Sequence, residues 1–195
     1  MPVRPPCKPP EGDDLRRLIL AAAMFVALCI SAVGVHGADA TARRTSRRAA
    51  LSYLERRLQR YETATWRWQR LTGRPRTQTA GRTLAAMDVD DLEQTVRAWA
   101  RRARAAHRVA QHPPHLQDWM CIHRYEGAWT DAGGPYWGGL QMSLTFQARY
   151  GGWLLRTKGT ADHWTPLEQM WTAEKALKSR GFWPWPNTAR LCGLL

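Results

Sequence analysis

The chain has 195 residues, enough for one domain of ordinary size or a small domain with appendages. It carries 29 Lys and Arg residues against 16 Asp and Glu, and the excess lies in residues 41–112, which hold 17 basic and 6 acidic groups. The sequence has no glycine-rich phosphate loop and no zinc-ligand spacing, which argues against nucleotide-driven and zinc-dependent chemistry.

The N-terminal region has the features of an export signal. A pair of arginines precedes an apolar run over residues 18–35, and a charged segment followed by such a run directs a chain to the membrane. The run is long for a cleaved signal and just long enough for a spanning helix. Small residues permit cleavage after Gly37 or after Ala40. Residues 1–37 are therefore interpreted as a signal peptide or a signal anchor, and the rest of the chain as exported.

The four cysteines divide into two pairs. Cys7 and Cys29 fall in the export segment, which leaves Cys121 and Cys192 in the remaining chain. An even pair in an oxidising compartment favours a disulfide, so we predict a Cys121–Cys192 bridge. The alternative is two independent buried thiols.

Two amphipathic helices are predicted over residues 46–72 and 89–111. Leucines and aromatic residues recur at helical spacing in the first, and valine, leucine, tryptophan and alanine do so in the second. Gly73 ends the first helix, and Asp88 is a suitable N-cap for the second. A short connection favours an antiparallel pair, so residues 38–112 are interpreted as a basic helical hairpin. The simplest interpretation of its arginine-rich faces is helix surface exposed to solvent. Their functional interpretation is attraction to anionic wall polymers or a membrane surface, and nucleic acid is not expected for an exported chain.

Residues 113–195 are nearly neutral and rich in Trp, Gly and Pro. Short helices are predicted near 115–126 and 143–150. A third helix begins with a capping box at Thr165 and ends at Gly181. The pattern predicts a small, mainly helical domain.

The stretch CIHRYEGAW, residues 121–129, holds a single carboxylate among aromatic side chains. Trp119, Ile122 and Glu126 lie at i, i+3 and i+7, so they share one face of a helix, and Gly127 lets the chain turn away at once. Aromatic surroundings favour the protonated form of a carboxyl group, which a glycosidase uses as its general acid. The alternative is a helix-end glutamate paired with a nearby arginine, such as Arg124 or Arg149.

The sequence that follows offers side chains suited to sugars. The Gly-Gly pair at 138–139 permits close approach of a ligand or another chain segment. Gln141 donates and accepts hydrogen bonds, as sugar hydroxyl and acetamido groups require. Tyr136 and Trp137 have flat faces on which sugar rings stack. The alternative for these residues is a tight turn with ordinary core aromatics.

A second catalytic carboxylate is not evident from the sequence. Asp131 and Asp162 are the nearest candidates, and neither belongs to a recognisable motif. His123 has no partner at metal-ligand spacing, so it is interpreted as a packing or surface residue. We therefore expect neither a metal nor another cofactor.

Three blocks of sequence, in a fixed order, resemble a known family. They are the Glu-Gly pair at 126–127, the Gly-Gly-Leu-Gln block at 138–141 and the Gly-Phe-x-x-Trp-Pro ending at 181–186. Together they resemble the transglycosylase-like domain of the resuscitation-promoting factors, within the lysozyme-like superfamily, over residues 117–195. That family usually has a cysteine where this chain has Tyr125.

The resemblance implies both a fold and an activity. It implies a mainly α, lysozyme-like α+β domain that cleaves peptidoglycan between N-acetylmuramic acid and N-acetylglucosamine, with Glu126 as the catalytic acid. The substrate-binding residues expected from it are Trp129, Tyr136, Trp137 and Gln141. With one carboxylate, a lytic transglycosylase is favoured over a hydrolase, because the muramyl 6-hydroxyl can capture the intermediate. The protein is then secreted or associated with the cell wall. The alternative is a non-catalytic wall-binding or regulatory partner of another wall enzyme.

Overall fold

The computed structural model describes residues 13–79 and 86–195, with side chains from Asp39 onward. Within these residues lie six α-helices, a 3-10 turn and one two-stranded antiparallel sheet, so the protein is mainly helical, as predicted. The helices are α1 (Asp13–Thr72), α2 (Val89–Ala110), α3 (Leu116–Glu126), α4 (Leu144–Lys158), α5 (Pro166–Arg180) and α6 (Pro186–Leu191). The strands are β1 (Tyr136–Trp137) and β2 (Met142–Ser143), and the 3-10 turn covers Ala161–His163.

The predicted export segment falls largely outside the described residues. Residues 1–12 lie outside them, and the apolar run at 18–35 belongs to the part of α1 whose side chains are not described. Among the side chains that are described, no helix is long and apolar enough to cross a membrane. The assignment of residues 1–37 as a signal peptide or anchor stays a prediction.

The chain forms two compact units, residues 1–53 and 54–195. The second unit contains the C-terminal part of α1 together with all the later described elements. Leu71 of α1 belongs to the hydrophobic core of this unit, and the Trp171 indole N–H of α5 donates to the Ala110 carbonyl of α2 at 2.7 Å. The predicted boundary between hairpin and C-terminal domain therefore falls inside one packed unit.

Helix ends follow the predicted capping chemistry. The Asp88 carboxylate accepts a hydrogen bond from the Asp91 N–H at 2.8 Å and caps α2. Thr165 and Glu168 form the reciprocal capping box of α5. The predicted helix at 46–72 forms the end of the longer α1.

Two helices differ from the sequence-based expectation. The segment predicted as helical over 143–150 continues to Lys158, because Gly151 kinks α4 without ending it. The kink brings α4 close to the 3-10 turn, and a Cβ at Gly151 would lie 2.6 Å from the Trp164 ring. Helix α6, which starts with Pro186 in its first turn, was not predicted.

Helix α3 is fixed at its start and at its middle. The nearly buried Glu174 carboxylate of α5 accepts hydrogen bonds from the His115 N–H at 2.8 Å and from the Trp119 indole at 2.9 Å. A disulfide joins Cys121 of α3 to Cys192 just after α6, with the two Cα atoms 6.0 Å apart, which confirms the predicted bridge. These contacts set where the last turn of α3 lies.

Removal of the bridge should destabilise the fold. Cys121 and Cys192 are 71 positions apart in sequence. Loop-closure entropy therefore predicts that the double variant Cys121→Ser, Cys192→Ser loses about 4 kcal/mol of unfolding free energy. Chemical denaturation of the oxidised protein and of the double variant measures this loss. Reaction of Cys121 or Cys192 with a thiol reagent in the native wild-type protein would contradict the bridge, whereas reaction of Cys7 or Cys29 would not.

A buried carboxylate joins three helices. Glu168 of α5 is fully buried and accepts hydrogen bonds from Arg67 of α1 at 3.0 Å and from Lys158 of α4 at 2.6 Å. Burial alone would raise the pKa of Glu168, but the hydrogen bonds from Lys158, the Thr165 N–H and Arg67 outweigh it and hold the pKa below its usual value. The fold therefore stabilises the ionised form.

Acidification should weaken the fold through Glu168. Because its pKa in the folded state lies below the ordinary 4.5, this stabilisation is present above that value and is lost as the pH falls through the lowered folded pKa. We expect Glu168→Gln to cost about 1.5–3 kcal/mol near pH 7, the range for hydrogen bonds to a charged group. We also expect a shallower loss of stability in acid for this variant.

Urea unfolding, measured from near pH 7 down through the lowered pKa of Glu168, tests the acid dependence of the Glu168→Gln variant. The control is Glu55→Gln, at an exposed position of α1. Equal acid dependence in the Glu168→Gln variant and the wild type would contradict it.

Candidate active site

Glu126 is the last residue of α3, where the chain leaves the helix. Gly127 follows with φ 156° and ψ −174°, a conformation that essentially only glycine adopts. A Cβ at Gly127 would lie 3.2 Å from an Asp131 carboxylate oxygen and 3.4 Å from the Gln141 amide nitrogen. The Glu-Gly pair therefore lets the chain turn so that Asp131 and Gln141 come close to the end of α3.

The Glu126 carboxylate is held by a hydroxyl group. Its Oε1 accepts a hydrogen bond from Thr188 Oγ1 at 2.7 Å, and the side chain is partly buried. Within the described residues Glu126 makes no ion pair, so the alternative of a pair with Arg124 or Arg149 is not observed. Thr188 lies in α6, one turn after Trp185.

Gln141 occupies a strained turn beside Gly127. Its φ is 43°, in the left-handed region that costs a non-glycine residue about 1–2 kcal/mol. Its side-chain amide N–H groups donate to Asp131 Oδ2 at 3.0 Å and to the Gly138 carbonyl at 2.9 Å. Both donors are thus engaged inside the protein. The amide oxygen of Gln141 makes no hydrogen bond within the described residues and is free to accept one from a ligand.

A stacked pair of rings packs against Gly139 of the Gly-Gly-Leu-Gln segment. The His123 and Trp129 rings stack with centroids 4.0 Å apart and planes at 21°, and His123 Nδ1 lies 3.2 Å from the Gly139 carbonyl. A Cβ at Gly139 would lie 2.6 Å from His123 Nδ1 and 2.7 Å from the Trp129 ring. Neither ring can withdraw without breaking the stack, so position 139 requires glycine. His123 packs here as a supporting residue.

A cavity of about 270 Å³ opens next to the strained turn. Gln141 is part of its wall and also lies beside Gly127, so it joins the cavity to the surroundings of Glu126. Glu126 itself does not line the cavity. The other wall residues come from β1, β2, α4 and the end of α5 through to the start of α6: Tyr136, Met142, Ser143, Thr145, Phe146, Arg149, Tyr150, Arg180, Pro184 and Trp185.

The predicted substrate residues occupy two different positions. Tyr136 and Gln141 line the cavity, and the Tyr136 side chain is about half exposed. Trp137 is partly buried against the core and pairs with Met142 across the two strands. Trp129 also packs against the core and has His123 on one face of its ring. The structure therefore brings Tyr136 and Gln141 to the candidate site and places the two tryptophans in the layer that supports it.

Two contributors to the site carry no motif in the sequence. Thr188 lies 62 positions after Glu126 and contacts it through a single hydrogen bond between two elements. The sequence offers Asp131 only as a candidate second catalytic carboxylate, whereas the structure shows it as a hydrogen-bond acceptor for Gln141. The proline at position 186 is the one local signal that would have placed Thr188 in the first turn of a helix.

No protein-family model, no curated protein and no solved structure matches this chain. Its function is therefore argued from its own geometry. Within the described residues, no group of three or more His, Cys, Asp or Glu side chains is placed to hold a metal ion.

Substitution of Gly139 should disturb the site and the fold together. We expect Gly139→Ala to destabilise the protein by about 1–3 kcal/mol, the usual cost of forcing a methyl group into a packed region. Gly152→Ala is the matched control, since its Cβ would meet only the flexible end of Arg156, at 3.5 Å, and alanine favours a helix. Denaturant unfolding measures both variants. Equal stability of the two would contradict the close packing of the His123–Trp129 pair on Gly139.

Proposed function

We propose that this protein is a peptidoglycan-cleaving glycosidase, a lytic transglycosylase that acts on the β-1,4 bond between N-acetylmuramic acid and N-acetylglucosamine. One observation carries the proposal: the partly exposed Glu126 carboxylate has a hydroxyl partner instead of a cation, and the residue after it, Gly127, lies beside the side-chain amide of Gln141. The sequence resemblance of residues 117–195 to the resuscitation-promoting factors, with a lysozyme-like fold, supports it.

In the first step Glu126 acts as a general acid. Thr188 donates to Oε1, which leaves Oε2 as the oxygen that carries the proton. Proton transfer to the glycosidic oxygen lets the bond from muramyl C1 to that oxygen break. The products of this step are a free 4-hydroxyl on the leaving glucosamine, an oxocarbenium-like muramyl residue and the Glu126 carboxylate.

In the second step the same carboxylate acts as a general base. It accepts the proton of the muramyl 6-hydroxyl as that oxygen bonds to C1, which closes a 1,6-anhydro ring and restores the acid form of Glu126. No water is consumed and no second carboxylate is required. This fits a site in which the nearby Asp131 carboxylate already accepts hydrogen bonds from Gln141 and the Gly133 N–H.

Sugar binding is assigned to the side chains around the turn. The free amide oxygen of Gln141 suits an acetamido N–H or a hydroxyl group, and the exposed face of Tyr136 suits a sugar ring. The partly exposed Trp129 and Trp137 remain proposed contacts at the edge of the cleft.

We further propose that the enzyme is exported and works at the cell wall, held near anionic wall polymers or a membrane surface by the arginines of residues 41–112. Several of these arginines lie over aromatic rings and remain exposed to solvent. The guanidinium carbon of Arg76, for example, lies 3.7 Å from the centroid of the Trp66 ring. Their charge stays available to a polyanion. Nucleic acid is not a proposed partner.

The variant Glu126→Gln tests the proposal. Its amide oxygen still accepts the Thr188 hydrogen bond, so folding and binding to insoluble peptidoglycan should persist. The amide has no transferable proton, so release of wall fragments should fall by about 10²–10⁴-fold, the usual contribution of general acid–base catalysis. Melting temperature, wall binding and fragment release are measured on the same preparation, with Glu55→Gln as the control.

The products distinguish the alternatives. Mass spectrometry of digested peptidoglycan should show anhydromuramyl ends; reducing ends would indicate a hydrolase. Bound but intact strands would indicate a non-catalytic wall-binding or regulatory protein. Undiminished fragment release by folded Glu126→Gln would remove Glu126 from the mechanism.

A further inference from the structure

The cavity next to Gln141 contains two arginines that nothing in the catalytic proposal uses. Arg149 comes from the middle of α4 and Arg180 is the last residue of α5, so two separate helices bring positive charge to one cavity. The Arg149 guanidinium lies over the Tyr150 ring, 5.5 Å from its centroid, and leaves its N–H donors unused by that contact.

Neither arginine has an anionic partner within the described residues. Of the acidic residues in 113–195, Asp118 lies in the first turn of α3 and does not line the cavity. The others hydrogen-bond or pair with other groups: Glu126, Asp131, Asp162, Glu168 and Glu174. The cavity therefore has a positive charge that the fold itself does not compensate.

We propose that this cavity binds a carboxylate of the peptide stem carried by a muramyl residue of the substrate. The inference rests on the proposed function. The glucosamine residues of a glycan strand have no anionic group, whereas the stem attached to the muramyl lactyl group contains free carboxylates. The two arginines that line the cavity therefore suit the anionic peptide stem of a muramyl residue and not the sugar chain alone.

The side chains that line the cavity suit a carboxylate ligand. A guanidinium group binds a carboxylate through two parallel hydrogen bonds, and a second arginine doubles the available donors. The Ser143 oxygen accepts the Phe146 N–H at 3.3 Å, which leaves its own hydroxyl hydrogen free to donate. The volume of about 270 Å³ is just below the roughly 300–1,000 Å³ of a complete small-molecule site. The cavity therefore fits a part of the substrate, about one or two amino acid residues.

Binding of two defined fragments tests the inference. The first is the disaccharide N-acetylglucosaminyl-N-acetylmuramyl with an L-alanyl-D-glutamate stem, and the second is the same compound with both carboxylates amidated. Calorimetric titrations use the full chain with Glu126→Gln, so that no cleavage disturbs them. We expect the free-carboxylate fragment to bind about tenfold more tightly, because hydrogen bonds to a charged group are the stronger class.

Substitution of each cavity arginine tests whether the preference for the free-carboxylate fragment comes from the cavity. In the same background, Arg149→Gln and Arg180→Gln should each remove about fivefold to tenfold of the affinity for the free-carboxylate fragment. They should leave the affinity for the amidated fragment unchanged. Arg156→Gln is the matched control, since it removes one exposed charge from α4 outside the cavity wall.

Several results would overturn the inference. Equal affinity for the two fragments, no binding of either, or the same loss from Arg156→Gln would do so. Displacement of the fragment by glycerol phosphate at equal concentration would assign the cavity to phosphate groups instead. Failure of the enzyme proposal gives a different pattern, in which the wild-type protein releases no wall fragments while the carboxylate preference persists.

Discussion

The junction between α3 and α6 is the constraint on which the candidate site depends. Helix α6 has six residues and is too short to be stable by itself. The Cys121–Cys192 bridge and the burial of Trp185 hold it against the core. Only with α6 in this place does the Thr188 hydroxyl reach the carboxylate at the end of α3. The bridge therefore has a role in geometry as well as in stability, since it limits how far the two hydrogen-bonded residues can separate.

The turn at 138–141 shows how packing offsets local strain. Gln141 has a left-handed backbone, which is unfavourable for a side chain with a Cβ. Three hydrogen bonds compensate: its N–H and its amide both donate to the Gly138 carbonyl, and its amide donates to Asp131. The indole of Trp185 donates to the Leu140 carbonyl in the same turn at 2.6 Å. The turn is thus fixed by contacts within the protein itself, and preorganisation of this kind generally lowers the entropy cost of binding.

Local chemistry in the sequence predicted much of the framework. Capping residues such as Asp88 and Thr165 act within four positions of themselves, so their helix starts could be read directly. The disulfide could be predicted by counting the cysteines of a chain that the sequence indicates is exported. The Thr188–Glu126 contact and the long-range burial of Glu168 could not be predicted, because each joins elements that lie far apart in sequence and depends on tertiary packing. The same reason explains why the sequence did not predict that Leu71 of α1 lies in the hydrophobic core of the second unit.

The distribution of charge over residues 113–195 links the fold to its chemistry. Two of the six acidic side chains, Glu168 and Glu174, are buried and hold helices together. A third, Asp131, fixes the Gln141 amide. Glu126 differs from these acids, because within the described residues its second carboxylate oxygen accepts no hydrogen bond. Arg149 and Arg180, which form no ion pair within the described residues, give the adjacent cavity an excess of positive charge, and such a charge attracts anions.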